Sequence, residues 1–311
     1  MTDVHCHLAA LPTPSNGCLL SKRMRESPLA RAIAWAQDLP LDEPETANRR
    51  YLEGLDRELA RSRLIQRAVL LAMDGVYDAS GRLDEARTDF LVANDCVLAA
   101  AKGSPRLLAG VSINPMRRDA ADEAERCADA GAALVKVLPN SQCFDPGEAR
   151  FKGFYRTLAR RKLALLSHVG FEFSLIGQDQ SVGDPLRLRG ALEEGVTVIA
   201  AHGCSTGLFV WERYLGAMKE LAARHRNFYV DTSALTLPNR VGALWRLARS
   251  PELRDRLLFG TDYPLPVFAY PCAASPSAYL QARAADNRFD RQALVLSSLG
   301  LPPTVDFAAL S

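Results

Sequence analysis

The sequence predicts an α/β fold, a (β/α)8 TIM barrel with a long insertion after the first strand, and three observations predict it. Eight short apolar, β-branched segments recur along the chain, stretches of helical periodicity separate most of them, and each segment ends in polar, Gly or Pro residues. Strand, helix, strand at this pace implies a parallel sheet, and eight units suggest closure into a barrel, although a doubly wound open sheet gives a similar string. With 311 residues, 48% of them hydrophobic, the chain can bury one large core, so one domain over 1–311 suffices.

The strands are expected in order at Thr2–His7, Ala68–Asp74, Leu107–Asn114, Ala133–Leu138, Ala164–Val169, Thr197–His202, Phe228–Thr232 and Leu257–Asp262. Their ends are punctuated by Pro115, Pro139, Gly170 and Gly203, among others. Between them, Tyr51–Arg63, Glu85–Ala101, Ala120–Ala130, Phe151–Arg160, Pro185–Glu194, Trp211–Arg224 and Arg240–Arg249 read as helices, with Arg291–Leu299 as a last one. Leu52, Leu55 and Leu59 show the three- and four-residue spacing of a face packed on a sheet. Residues 8–50 fall outside the repeat. They hold Pro12, Pro14, Pro28, Pro40 and Pro44 with Gly17, too long for an ordinary strand-to-helix loop, and are expected to form a lid over the active-site end.

Charge and composition narrow the partners. Lys and Arg total 38 against 36 for Asp and Glu, and a net charge of +2 makes no field that would gather nucleic acid or an anionic membrane, so a small-molecule partner is expected. No stretch approaches the ~20 apolar residues of a spanning helix, and the opening Thr2-Asp3-Val4-His5 does not read as a secretory signal. The seven cysteines are scattered and never form a CxxC pair, which speaks against a disulfide framework and a thiolate zinc site and for reduced thiols in a cytoplasm. Self-association into a homo-oligomer stays open.

The histidines carry the functional signal. Of five in the chain, four sit at or near the end of an expected strand: His5 and His7 on the first, His168 on the fifth, His202 on the sixth. In a barrel these ends face one mouth, and residues two apart on a strand share a face. Imidazole is a good zinc ligand, and a catalytic zinc commonly keeps three protein ligands plus a water. Two imidazoles from one strand and a third from across the mouth supply such a set. Asp262 closes the eighth strand and could ligate the metal, accept a proton from its water, or do both in turn. A single His on a strand is usually structural, and HxH alone arises by chance; the conjunction at one predicted mouth is what points to a site. His225, at a polar helix end, reads as structural.

These residues resemble the amidohydrolase superfamily, and within it the amidohydrolase-related (amidohydrolase 2) branch. The motifs are Asp3-Val4-His5-Cys6-His7, Leu166-Ser167-His168-Val169-Gly170, Ala201-His202-Gly203 and Gly260-Thr261-Asp262-Tyr263-Pro264, in the family's order. The resemblance implies one or two divalent metals, usually zinc, at the mouth, with His5, His7, His168 and Asp262 as ligands and Asp262 as general base. His202 would be either a second-metal ligand or a group that orients water or substrate. Two-metal members often bridge their ions with a carboxylated lysine on the fourth strand, where Lys136 lies; the alternatives are an unmodified lysine meeting an anionic substrate or Asp262, or one facing the helices.

The implied activity is metal-dependent hydrolysis of an amide, ester or lactone-type bond in a small molecule, with His202 steadying the developing oxyanion. A phosphoester substrate stays open. One rival keeps the metal set but decarboxylates a small aromatic or enol-type carboxylic acid. Another is a catalytically inactive metal-binding barrel, against which the intact ligand set speaks. Asn114, Asn140, Glu172, Asp231 and Ser233 lie at expected strand ends and either line the pocket or tie down loops. Lys22, Arg23 and Arg25 of the insertion either meet a substrate carboxylate or belong to a solvated surface.

Overall fold

Eight parallel strands pair in chain order in the computed structural model, which describes residues 1–175 and 179–310. They are β1 Thr2–His7, β2 Arg67–Leu71, β3 Leu107–Ser112, β4 Ala132–Val137, β5 Ala164–Ser167, β6 Val198–Ala200, β7 Phe228–Asp231 and β8 Leu257–Leu258. Closure comes from backbone bonds between β1 and the segment around and after β8: Val4 N–H donates to the Phe259 carbonyl at 2.9 Å, Asp262 N–H to that of His5 at 2.9 Å, and His7 N–H to that of Tyr263 at 2.8 Å. The predicted (β/α)8 barrel is therefore the fold, and the open-sheet alternative falls.

Alternation of side chains divides the apolar residues into two layers. Val4, Val69, Leu71, Leu134, Leu166 and Ile199 form an interior cluster with Phe307 of the C-terminal turn, while a larger cluster joins the outward strand residues to helix faces such as Tyr51, Leu55 and Leu59. The Met1 ammonium lies 3.7 Å from the Asp306 carboxylate, so the chain's last segment plugs the end opposite the histidines.

Several expected bounds shift for identifiable reasons. The first barrel helix runs Pro44–Arg61, beginning at a proline in the first turn, so the insertion proper covers residues 8–43. It contains helix Pro28–Ala36, capped by the Ser27 side chain, and Leu19–Leu20, which pairs antiparallel with Phe90–Leu91. That pairing breaks the helix expected over Glu85–Ala101 into a turn at Glu85–Arg87, the ribbon strand, and helix Asn94–Gly103. The helix expected from Trp211 begins at Leu215, because Glu212 is drawn back to Ser205 and Thr206. A further helix, Pro276–Ala284, was not foreseen. Strands β5, β6 and β8 stop before His168, His202 and Asp262, which lie in the turns that follow. All seven cysteines are free thiols. No helix among the described residues is long and apolar enough to cross a membrane.

Candidate functional site

Each candidate side chain reaches the mouth by a local device. On β1, His5 and His7 are two apart and both lie against the cavity. On β4, Leu134 is an interior core residue and Lys136, two later, is fully buried beside the histidines. His202 sits in a turn with φ 59° and ψ 33°, and Asp262 has φ 65°, left-handed conformations that cost a non-glycine residue of order 1–3 kcal/mol. The cost is borne where the side chains must turn from strand direction into the mouth. Gly260 permits the close approach of the β8 end to β1: a Cβ there would stand 3.1 Å from that of His5.

The polar network fixes which ring nitrogens are free. Asp231 is its root. Its Oδ2 accepts from His5 Nδ1 at 2.7 Å, and its Oδ1 accepts from the His202 backbone N–H at 2.8 Å, the Ser233 N–H at 3.0 Å and the Ser233 hydroxyl at 2.5 Å. With its proton given to Asp231, the Ser233 Oγ accepts from His202 Nδ1 at 2.8 Å, and His202 Nε2 then accepts from His168 Nδ1 at 3.1 Å. This assignment leaves a lone pair on Nε2 of both His5 and His168. The His168 Nε2 is buried and has no hydrogen-bond partner.

Three ligand-type atoms converge nearby. His5 Nε2 and His7 Nε2 are 3.2 Å apart, and Asp262 Oδ1 is 3.5 Å from the first and 3.3 Å from the second. Tetrahedral ligands at about 2.05 Å from a zinc stand roughly 3.3 Å from one another, so this spacing fits a divalent cation. The donor set fits as well: two imidazole nitrogens and a carboxylate oxygen. His5, Asp262 and His7 form one group able to hold a metal, and His5, His202 and Asp231 another. His168 stands in neither; the structure brings it against His202 instead, ring centroids 4.9 Å apart, with Glu172 3.7 Å from its Nε2.

Electrostatics hold these groups in ligating form. Burial, reinforced by Lys136, pushes the His5 imidazole below its ordinary value, and burial with the Arg240 charge pushes His168 and His202 well below theirs, so neutral rings prevail. Burial alone would raise Asp262, but His5, His7 and Lys136 outweigh it and hold the carboxyl well below the usual range. The Lys136 amine is pushed down to about 8 by burial, and its Nζ lies 3.2 Å from His5 Nε2.

Above this floor is a cavity of about 230 Å³ with aliphatic walls. Leu29 and Ile33 of helix Pro28–Ala36, with Leu11 and Met24, line it from the insertion, and Leu237 and Leu265 from the late loops. The insertion thus contributes part of the cavity wall. Glu172 also lines the cavity, whereas Asn114 and Asn140 tie loops, donating to the carbonyls of Gly75 and Gln142 and of Gly170. Asp231 and Ser233 lie behind the histidines. In the insertion, Lys22 and Arg23 are exposed, the latter paired with Asp89, and Arg25 reaches the Leu41 carbonyl. Sequence reasoning missed Arg240, which is buried and lines the cavity. The available signal was a basic residue at the start of a helix, against the helix dipole.

The comparisons agree with this geometry. A family model described as amidohydrolase matches residues 2–295. The fold is similar to that of an uncharacterised TIM-barrel protein from Bordetella bronchiseptica, at 18% identity and TM-score 0.59, covering 96% of this chain and 99% of that one. It is also similar to a probable 2-pyrone-4,6-dicarboxylic acid hydrolase from Acinetobacter baumannii (12%, TM-score 0.55, 96% and 92%). A third is 2,6-dihydroxybenzoate decarboxylase from Rhizobium (15%, TM-score 0.51, 96% and 98%). A search of curated protein sequences finds no significant match.

Proposed function

We propose, from the premise that the chain belongs to the amidohydrolase family, that it is a metal-dependent hydrolase of a small molecule with an apolar body. The observation that carries the reading is the convergence of His5 Nε2, His7 Nε2 and Asp262 Oδ1 within 3.5 Å of one another at the cavity. These three would hold a single divalent cation, zinc by the nitrogen and oxygen character of the donors, and His168, which stands outside their group in this structure, would have to swing its unpartnered Nε2 toward the ion to join them. When bound, such an ion supplies an acidified water and polarises a carbonyl.

The chain's own residues do the rest. Asp262, kept ionised by its neighbours, takes the proton of the attacking water and delivers it to the leaving group. Asp231 fixes the His5 tautomer directly and that of His168 through Ser233 and His202, so His202, both ring nitrogens engaged, positions His168. Leu29 and Ile33 of the insertion helix give the cavity an apolar wall, which lowers the dielectric around the charges beside it.

Decarboxylation of a small carboxylic acid is the second reading, and the aliphatic walls favour it, because an apolar enclosure destabilises a carboxylate relative to neutral carbon dioxide. The likeness to a named hydrolase and a named decarboxylase supports both. Metal analysis and turnover on one preparation test the common core: chelation should abolish activity, zinc should restore it, and His168→Ala should lose metal as well as turnover. Full activity in metal-stripped protein would refute the reading. Release of carbon dioxide without a hydrolysis product would transfer it to decarboxylation.

A further inference from the structure

Two of the seven thiols meet where the insertion joins the barrel. Cys18 stands directly before Leu19–Leu20 of the ribbon and Cys96 lies in the first turn of helix Asn94–Gly103. Their Sγ atoms are 3.7 Å apart, although the residues are 78 positions apart in sequence. By contrast, Cys6 faces the Thr261 hydroxyl, Cys127 the Glu123 carboxylate, and Cys143 and Cys272 backbone carbonyls. Both sulfurs of the pair also lie near the Asn16 carbonyl, at 3.7 Å for Cys18 and 3.4 Å for Cys96, so one acceptor gathers the two thiols. Cys96 is partly exposed and Gly17 is exposed, which gives a small reagent access from solvent.

The two thiols are not equivalent. The Cys96 thiol and, against the opposing effect of burial, the Ala93 N–H at the start of the helix bring the Cys18 thiol below its ordinary value. The same pairing raises Cys96, which keeps its proton while Cys18 serves as the nucleophile. We propose that Cys18 and Cys96 are a redox-active pair, oxidised by a peroxide to a disulfide that clips the insertion to the barrel. The Cys18 thiolate attacks one oxygen of hydrogen peroxide and the O–O bond breaks. A sulfenic acid forms, and the hydroxide released takes up the proton that Cys18 gave away. The Cys96 sulfur then attacks the Cys18 sulfur, the S–O bond breaks, and hydroxide leaves with the Cys96 proton as a second water. Two thiols thus lose two electrons to one peroxide, which becomes two waters. The clip bears on the cavity because Leu20, Met24 and Phe90, on either side of it, line that cavity, and a ribbon of two residue pairs is a weak tie by itself.

The test treats the metal-loaded protein with one equivalent of hydrogen peroxide, then with dithiothreitol, and follows peptide masses and amide hydrogen exchange at each stage. Peroxide should yield a linked Cys18–Cys96 peptide, two hydrogens lighter than its parts, with the other five cysteines still alkylated as thiols. Exchange across residues 19–36 should slow by about tenfold or more, and dithiothreitol should reverse both changes. Cys18→Ser and Cys96→Ser should each lack the linked peptide and the added protection. In Cys96→Ser the Cys18 sulfenic acid should persist long enough for dimedone to trap it, which assigns the nucleophile. The wild-type peptide map decides the matter should either variant fail to fold, and none of these readouts depends on turnover. Both thiols remaining reduced would overturn the proposal, as would sulfinic acid at Cys18 in place of the disulfide. A linked peptide with unchanged exchange would overturn the clip.

Discussion

At the scale of single residues, the site depends on groups that never touch substrate. Asp231 accepts from His5, from the His202 backbone and twice from Ser233, so one carboxylate orients two imidazoles. Partners of this kind typically govern metal affinity by 10–100-fold. Asp231→Asn should therefore weaken metal binding by roughly that factor while the far-ultraviolet circular dichroism stays that of wild type, and unaltered affinity by competition with a chromophoric chelator would exclude the role. Lys136 gives a second prediction. The group His5, His202 and Asp231 can hold a second ion only by breaking the His5–Asp231 bond, so one metal per chain is expected in wild type and in Lys136→Met alike. Two ions in wild type and one in Lys136→Met, by elemental analysis, would identify Lys136 as a bridging carboxylated lysine.

At the scale of elements, the insertion is a cavity wall with one apolar face. Leu29, Ala30, Ile33 and Ala34 of helix Pro28–Ala36 line the cavity, while Trp35 points outward and is 87% exposed. Capping by Ser27 and pairing of Leu19–Leu20 with Phe90–Leu91 fix this wall to the barrel. Ile33→Asp places a carboxylate in that wall and should raise KM at least tenfold, or about 1.4 kcal/mol of lost binding, with metal content unchanged. A KM equal to that of wild type in steady-state assays would mean that the helix does not contact substrate. The strand ends make a related point: His168, His202 and Asp262 lie beyond regular β structure because the site needs side-chain directions that a pleated strand does not offer.

For the whole molecule, the metal site and barrel closure share one seam. The buried Asp3 of β1 accepts from the Thr261 backbone N–H and, at 2.7 Å, from its hydroxyl, joining the first strand to the turn that carries Asp262. Removing that hydroxyl leaves a buried carboxylate short of a donor, which costs roughly 1.5–3 kcal/mol. Thr261→Val should lower the unfolding free energy by about that amount in chemical denaturation, and a change within a few tenths would show the seam to be held elsewhere.

Periodicities and ligand-type residues are legible along the chain. Alternating apolar segments set eight parallel strands, His5 and His7 share a face because the strand repeat is two, and the prolines of residues 8–50 marked an insertion. These are properties of neighbours along the chain. Asp231 is 226 residues from His5, Arg240 meets the cavity only because β7 returns to the same mouth, and the start of the barrel helix at Pro44 goes with a ribbon formed between Leu19–Leu20 and Phe90–Leu91. Which nitrogen of each imidazole is free, which charges are buried at the mouth, and which face of the insertion lines the cavity follow from the tertiary structure, because hydrogen bonding and desolvation depend on what stands nearby in space.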